Sequence, residues 1–378
     1  MDSFREAYWK LKGFRLLNTP ETLQELEPYK IRTVPPSALA LPDVPNERSP
    51  QELIYKANTF SSGAVHVWER DFTKGFISKN GAIVIDQKVL CTDWDQRGII
   101  AEAFQSDKRP LKTVDTLIPL LSHHQDFGTF NSLTGYYDYV LMVAAKLSGI
   151  KDALGDRDLR DIYITYHPFG GGYEKEYMEL LGFNPANYID SREFKLSAQK
   201  IIFGDMGTWK PNVNEILSLK QNIEKSLAIT ADTPYAGNRI YVSRRARRAV
   251  KNEKEVIGLL KKFNFIIIED KKRSVREQID IYRNASFIIG PHGASFTNIM
   301  FCKPSTFLYE LVPTSWAYDY FLYIVQIMKM EYAAFKDDTH PDISDDYYNA
   351  LHQDVFVSIP KLQESLEKIL GKIPEEVR

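Results

Sequence analysis

At 378 residues the chain is long enough for two α/β domains. Its 44% hydrophobic and 26% charged content is ordinary for a globular protein, and a formal net charge of −2 gives no global footprint for nucleic acid or membrane. Two cysteines, Cys91 and Cys302, cannot build a disulfide framework, and no Cys/His spacing fits zinc.

Residues 1–20 lack an apolar core, and no run of 18 apolar residues occurs, so neither a signal peptide nor a membrane span is expected. Asn18-Thr19-Pro20, with Glu21 close behind, reads as a helix start. Prolines 28, 35, 36, 42, 45 and 50 then argue against long regular elements, which predicts a surface-wrapping arm over 1–50. Strand patterns follow at Ala64–Glu69, Ala82–Asp86 and Lys88–Thr92, with a hairpin signal at Lys79-Asn80-Gly81.

Asp93-Trp94-Asp95 after a strand is a pattern that can hold a divalent metal against a nucleotide-sugar diphosphate. An isolated match is more often a polar strand exit. Farther on, Ser122-His123-His124-Gln125-Asp126 precedes a long helical pattern over 132–148 that carries Asp138. Asp138, with Asp126 in reserve, is the candidate base; a solvent-facing Asp is the plain alternative. Asp161–Tyr166, the His167-Pro168-Phe169-Gly170-Gly171-Gly172 loop and Tyr173–Leu181 form a βα unit, whose glycines admit either a ligand or a simple turn.

A polar break at 231–238 marks the expected boundary: an acceptor-side domain at 1–230, a second domain at 231–355 and a terminal helix at 356–378. After the break, strands at Arg239–Ser243 and Phe265–Glu269 alternate with helices at Asn252–Phe263 and Ser274–Asn284, which predicts a parallel sheet. Ser274-Val275-Arg276-Glu277 has the capping-box pattern. Residues 285–311 then read strand, glycine-bearing turn, helix start and strand, a backbone arrangement that presents N–H groups to an anion. Arg244, Arg245, Arg247, Arg248 and Lys251 crowd the loop after the 239–243 strand. Loops at carboxyl ends of strands line the crevice of a doubly wound sheet, and arginines there can grip a diphosphate. A solvated loop or a nucleic-acid patch are the competing readings, the latter opposed by the net charge.

Tyr241-Val242-Ser243-Arg244, Arg248, Asn252-Glu253, Gln278, Gly290-Pro291-His292-Gly293-Ala294, Thr297-Asn298, Phe301 and Glu310-Leu311 together resemble glycosyltransferase family 61. That family includes a plant β-1,2-xylosyltransferase, an EGF-domain O-GlcNAc transferase and bacterial polysaccharide-building enzymes. The resemblance implies a GT-B architecture, two Rossmann-like α/β domains facing a cleft with a C-terminal helix packing back. It also implies inversion at the anomeric carbon without a metal, and a UDP-sugar as donor. Arg244 and Arg248 would meet the diphosphate, and His292, Gly293 and Ala294 would cradle phosphate or sugar with Asn298 nearby. Glu310 would accept from ribose hydroxyls. One departure stands out: where family members carry Asn-x-x-His before the first-domain helix, this chain has Asn131-Ser132-Leu133-Thr134.

The expected activity is thus transfer to a glycan or glycolipid in surface polysaccharide biosynthesis, with no cofactor and no nucleic-acid partner. The expected setting is the cytoplasm, with peripheral association at the inner face of a membrane left open. Alternatives are a nucleotide-sugar binding scaffold, a sugar-nucleotide epimerase, and a metal-dependent GT-A transferase using Asp93 and Asp95.

Overall fold

The computed structural model describes residues 7, 11–78, 81–92, 108–120, 135–205, 210–315, 317–337, 339 and 352–372. Both parts of the chain are α/β, and they form two compact units: Met1–Ser37 with Ser61–Thr230, and Ala38–Phe60 with Ala231–Arg378. Residues 38–60, grouped with 1–230 on sequence, therefore belong with the second unit. Among the described residues no helix is long and apolar enough to cross a membrane.

The first unit is built on a mixed sheet. Its parallel part runs Lys195–Gly204, Leu111–Pro119, Tyr163–Tyr166, Tyr188–Asp190 in spatial order. Val65–Asp71 and Gly75–Ile77 extend it antiparallel from the 195–204 strand. Phe76 and Ile77 pair with Val84 and Ile83 across the expected hairpin, whose Lys79 and Asn80 lie outside the described residues. The long helix begins at Tyr136, passes through a π-helical turn at Tyr139–Ala144 and continues as α-helix over Ala145–Leu154. Such π turns are rare and recur at functional sites.

Residues 30–62 correct the expectation of an irregular arm. They fold into short strands, two of which, Val44–Asn46 and Ser49–Tyr55, extend the second unit's sheet. Pro45 is tolerated because the pairing shifts register on both sides of it, so no ladder bond is required of its missing N–H. Asn46 does the joining: its side-chain amide donates to the Lys336 carbonyl at 2.9 Å and accepts from the Lys336 N–H at 3.0 Å.

In the second unit five parallel strands stand in the order Ile266–Ile268, Asn238–Val242, Ala285–Pro291, Phe307–Leu311, Glu331–Phe335. Numbered along the chain, that order is 2-1-3-4-5, a doubly wound sheet whose strand order reverses between the 238–242 and 285–291 strands. One face buries Tyr241, Phe287, Ile289, Tyr309 and Leu311 beneath two helices, Glu253–Lys262 and Ile359–Lys372. Phe287 and Phe307, register partners, stack at 4.7 Å. The terminal helix packs on this core through Leu362, Leu366, Ile369 and Leu370. The Val275–Arg283 helix opens with the expected capping box between Ser274 and Glu277.

Candidate active site

In an open parallel sheet the ligand crevice lies beyond the carboxyl ends of the strands where the order reverses. Here the two strands flanking that point end at Val242 and Pro291, which delivers Ser243-Arg244 and His292-Gly293 side by side. The approach is tight enough to require glycine at 290, where the obstacle is backbone, and to leave room at 293 only for the Arg244 side chain. A Cβ on Gly290 would meet the Val242 carbonyl oxygen at 2.7 Å, and one on Gly293 would meet Arg244 Nη1 at 1.6 Å.

The basic loop is not a free surface loop. Ser243 N–H donates to the Ile268 carbonyl, Arg245 N–H to Asp270, and Ala249 N–H to Asp354. A parallel bridge between Val250 and Val355 closes its far end. Within it Arg244 is pinned over Gly293 by two carbonyls, donating from Nη1 to His292 at 3.1 Å and from Nε to Arg247 at 2.6 Å. Burial, with Arg247 adding repulsion, pushes its guanidinium down to about 10.

Arg248 is the sharper case. It is 7% exposed, its backbone sits in the left-handed region at φ 63°, and its Nε has no hydrogen-bond partner. Burial pushes its guanidinium down to about 9, with Arg244 and then Arg247 repelling it further. At neutral pH it remains cationic. A buried, incompletely bonded cation beside a second cation is costly unless an anion joins them.

Beside the arginines, His292 is 3% exposed and its Nδ1 is bonded to Glu310, which is wholly buried. Tyr332 donates its hydroxyl to the other oxygen of Glu310. Burial drives the His292 imidazole below its ordinary value against the pull of Glu310, and raises Tyr332 well above its own. Glu310 therefore orients His292 from within the core; in this structure its two oxygens are engaged by protein donors. The His292 ring rests on Phe321 at 5.0 Å. Ala294 opens a 3-10 turn over Ala294–Phe301 whose first N–H groups have no acceptor within the turn. Asn298 is buried and donates to Gln278 at 3.1 Å and to the Ser295 carbonyl at 3.1 Å, tying that turn to the 275–283 helix.

The structure brings Arg244, Arg248, His292, Gly293 and Ala294 together at the carboxyl ends of the 238–242 and 285–291 strands, with Glu310 behind them and Asn298 bracing the turn. Sequence reasoning missed Tyr332, for which no local signal exists, and the anchoring part of Asp270 and Asp354.

Asp138 lies in the first unit. It is half-buried in the first turn of the 136–154 helix, and its carboxylate accepts the Gly135 N–H at 2.9 Å, a helix-start geometry that the helix dipole favours. Asp126, Asp93, Asp95, Asn131 and Thr134 lie outside the described residues. The triple-glycine loop is closed on itself: Glu174 takes the Phe169 and Gly171 N–H groups at 3.1 and 2.8 Å. Those groups are spent, so the loop reads as a turn. Among the described residues no group of three or more His, Cys, Asp or Glu side chains gathers as a metal-ligand set.

Compared with known proteins, residues 105–309 match the model of a family described as Glycosyltransferase 61. No curated protein matches the chain.

Proposed function

The chain belongs to glycosyltransferase family 61 and is a transferase; from that premise we propose an inverting, metal-independent enzyme that moves a sugar from a UDP-sugar to a hydroxyl of a glycan or glycolipid in surface polysaccharide synthesis. The two units are read as the halves of a GT-B enzyme, with the donor on the second. Support for the donor assignment comes from one observation above all, the buried Arg248 with its unpartnered Nε beside the pinned Arg244.

In the proposed reaction the acceptor oxygen forms its bond to the anomeric carbon as the bond from that carbon to the diphosphate breaks. The electron pair stays on the diphosphate. Arg244, Arg248 and the N–H groups at 293–295 meet that developing charge, the kind of preorganised stabilisation that is commonly the largest catalytic effect. His292, its Nδ1 held by Glu310, stands beside them and shapes the turn. The arginines and backbone provide the cationic pocket that other transferases obtain from a metal.

Thermal shift with UDP tests this. A ligand bound only by the folded state raises the melting temperature. UDP is expected to stabilise the protein in the presence of EDTA, and Arg248→Ala to abolish the shift. Without ligand the variant should melt no lower than the native chain, because a buried unpaired cation is removed. A full UDP shift in Arg248→Ala would end the donor assignment.

A further inference from the structure

The carboxyl edge of the second unit's sheet carries one more prepared surface, on the loop that follows the 307–311 strand. That strand lies beside the 285–291 strand, and the His292 N–H ties their ends by donating to the Leu311 carbonyl at 2.9 Å. The chain after Leu311 therefore leaves the sheet next to the His292-Gly293 turn. It is anchored at intervals. The Val312 N–H donates to the Phe335 carbonyl, the Thr314 hydroxyl to the Asp337 carbonyl at 3.1 Å, and the Ser315 N–H to Gln353 at 3.0 Å. Tyr55 fixes the far end, its hydroxyl donating to the Tyr318 carbonyl at 3.0 Å.

The helix Tyr320–Met328 then begins, and its second residue, Phe321, lies against His292 at 5.0 Å and Phe296 at 5.5 Å. The helix start is thus docked on the anion turn itself. There Tyr318 and Tyr320 stack their rings at 5.4 Å and 7°. Tyr318 is 37% exposed, although its backbone is pinned. Parallel rings on an anchored loop offer a flat face at little cost in ordering, and such a face suits another planar ring. All of these residues belong to the second unit.

We propose that Tyr318, backed by Tyr320, is the stacking platform for the nucleobase of the donor. The inference rests on the donor reading above. A nucleoside diphosphate gripped at Arg244, Arg248 and the 293–295 N–H groups extends one ribose beyond its phosphates before the base begins. Glu310 is wholly buried and bonded to His292 and Tyr332, so the nucleoside needs another hold, and the rings beside the turn supply it. Stacking reads planarity rather than hydrogen-bonding edges, so this platform favours nucleotides over bare phosphates without choosing among bases.

Calorimetric titration of the full chain with UDP and with inorganic pyrophosphate separates the platform from the phosphate grip. The native chain is expected to bind UDP about tenfold or more tighter than pyrophosphate, the worth of one stacked base. Tyr318→Ala is expected to lose that advantage for UDP while binding pyrophosphate as the native chain does. Tyr318→Phe, which keeps the ring, is expected to retain native UDP affinity. The loop is held through the carbonyl of residue 318, so the Ala substitution leaves its anchor in place. Unchanged UDP affinity in Tyr318→Ala would overturn the proposal. So would an equal loss for pyrophosphate, which marks a displaced loop, or a loss for UDP-glucose alone, which marks a sugar contact. UDP binding that is lost in Arg248→Ala but untouched in Tyr318→Ala removes the platform and leaves the donor site standing; a native chain that binds no UDP overturns the donor reading itself.

Discussion

Arg248 combines a left-handed backbone with a buried cation whose Nε has no hydrogen-bond partner. A non-glycine residue at φ 63° costs about 1–3 kcal/mol, and the guanidinium is buried beside Arg244 besides. Two such costs at one residue mark a site prepared for a partner that repays them, and a diphosphate does so through charge and paired acceptors at once. Gly293 makes the arrangement possible. Its φ of −178° is extended backbone open to any residue, so Gly293→Ala should fold normally; yet the new Cβ would fall 1.6 Å from Arg244 Nη1. Displacing that side chain should weaken UDP binding about ten- to a hundredfold, the worth of one or two charge-assisted hydrogen bonds. Calorimetric titration with UDP measures this directly, and an unchanged affinity would remove Arg244 from the site. On sequence the five basic residues of this loop read equally well as a solvated surface. What separates the readings is burial and anchoring, set by Ile268, Asp270 and Asp354, which lie 25 to 105 positions from the residues they hold and leave no mark on the local pattern.

The elements that position the site differ in how plainly they announce themselves. Residues 285–311 are readable because a local pattern, apolar strand then glycine turn then apolar strand, decides their structure. The 275–283 helix is equally plain, since its capping box is closed by residues three apart. By contrast, Val44–Asn46 is invisible: three residues containing a proline become a strand only because Asn46 docks on Lys336, 290 positions away. The terminal helix lies between these cases. Its apolar stripe is evident, but its partner is not, and the structure places Leu362, Leu366, Ile369 and Leu370 in the core beneath Tyr241 and Tyr309. Leu366→Ala should therefore cost about 2–5 kcal/mol by leaving a cavity in that core. Urea unfolding provides the check; a loss below about 0.5 kcal/mol, typical of surface changes, would mean that the helix is not part of the second unit's core.

At the scale of the whole molecule, the family match spans residues 105–309 and so takes in parts of both units, while the residues with the clearest anion chemistry fall in the second alone. That placement follows from topology. The 2-1-3-4-5 strand order puts the reversal between the 238–242 and 285–291 strands, and the arginine loop and the His292-Gly293 turn emerge there. The first unit's glycine loop looked like a rival cradle on sequence, and Glu174 closes it. The most direct test of the account is amide hydrogen exchange on the full chain with and without UDP, read peptide by peptide. Slowed exchange at 243–248 and 292–296, absent in Arg248→Ala, is the predicted result. Protection centred on 167–172, or none anywhere at saturating UDP, would contradict it.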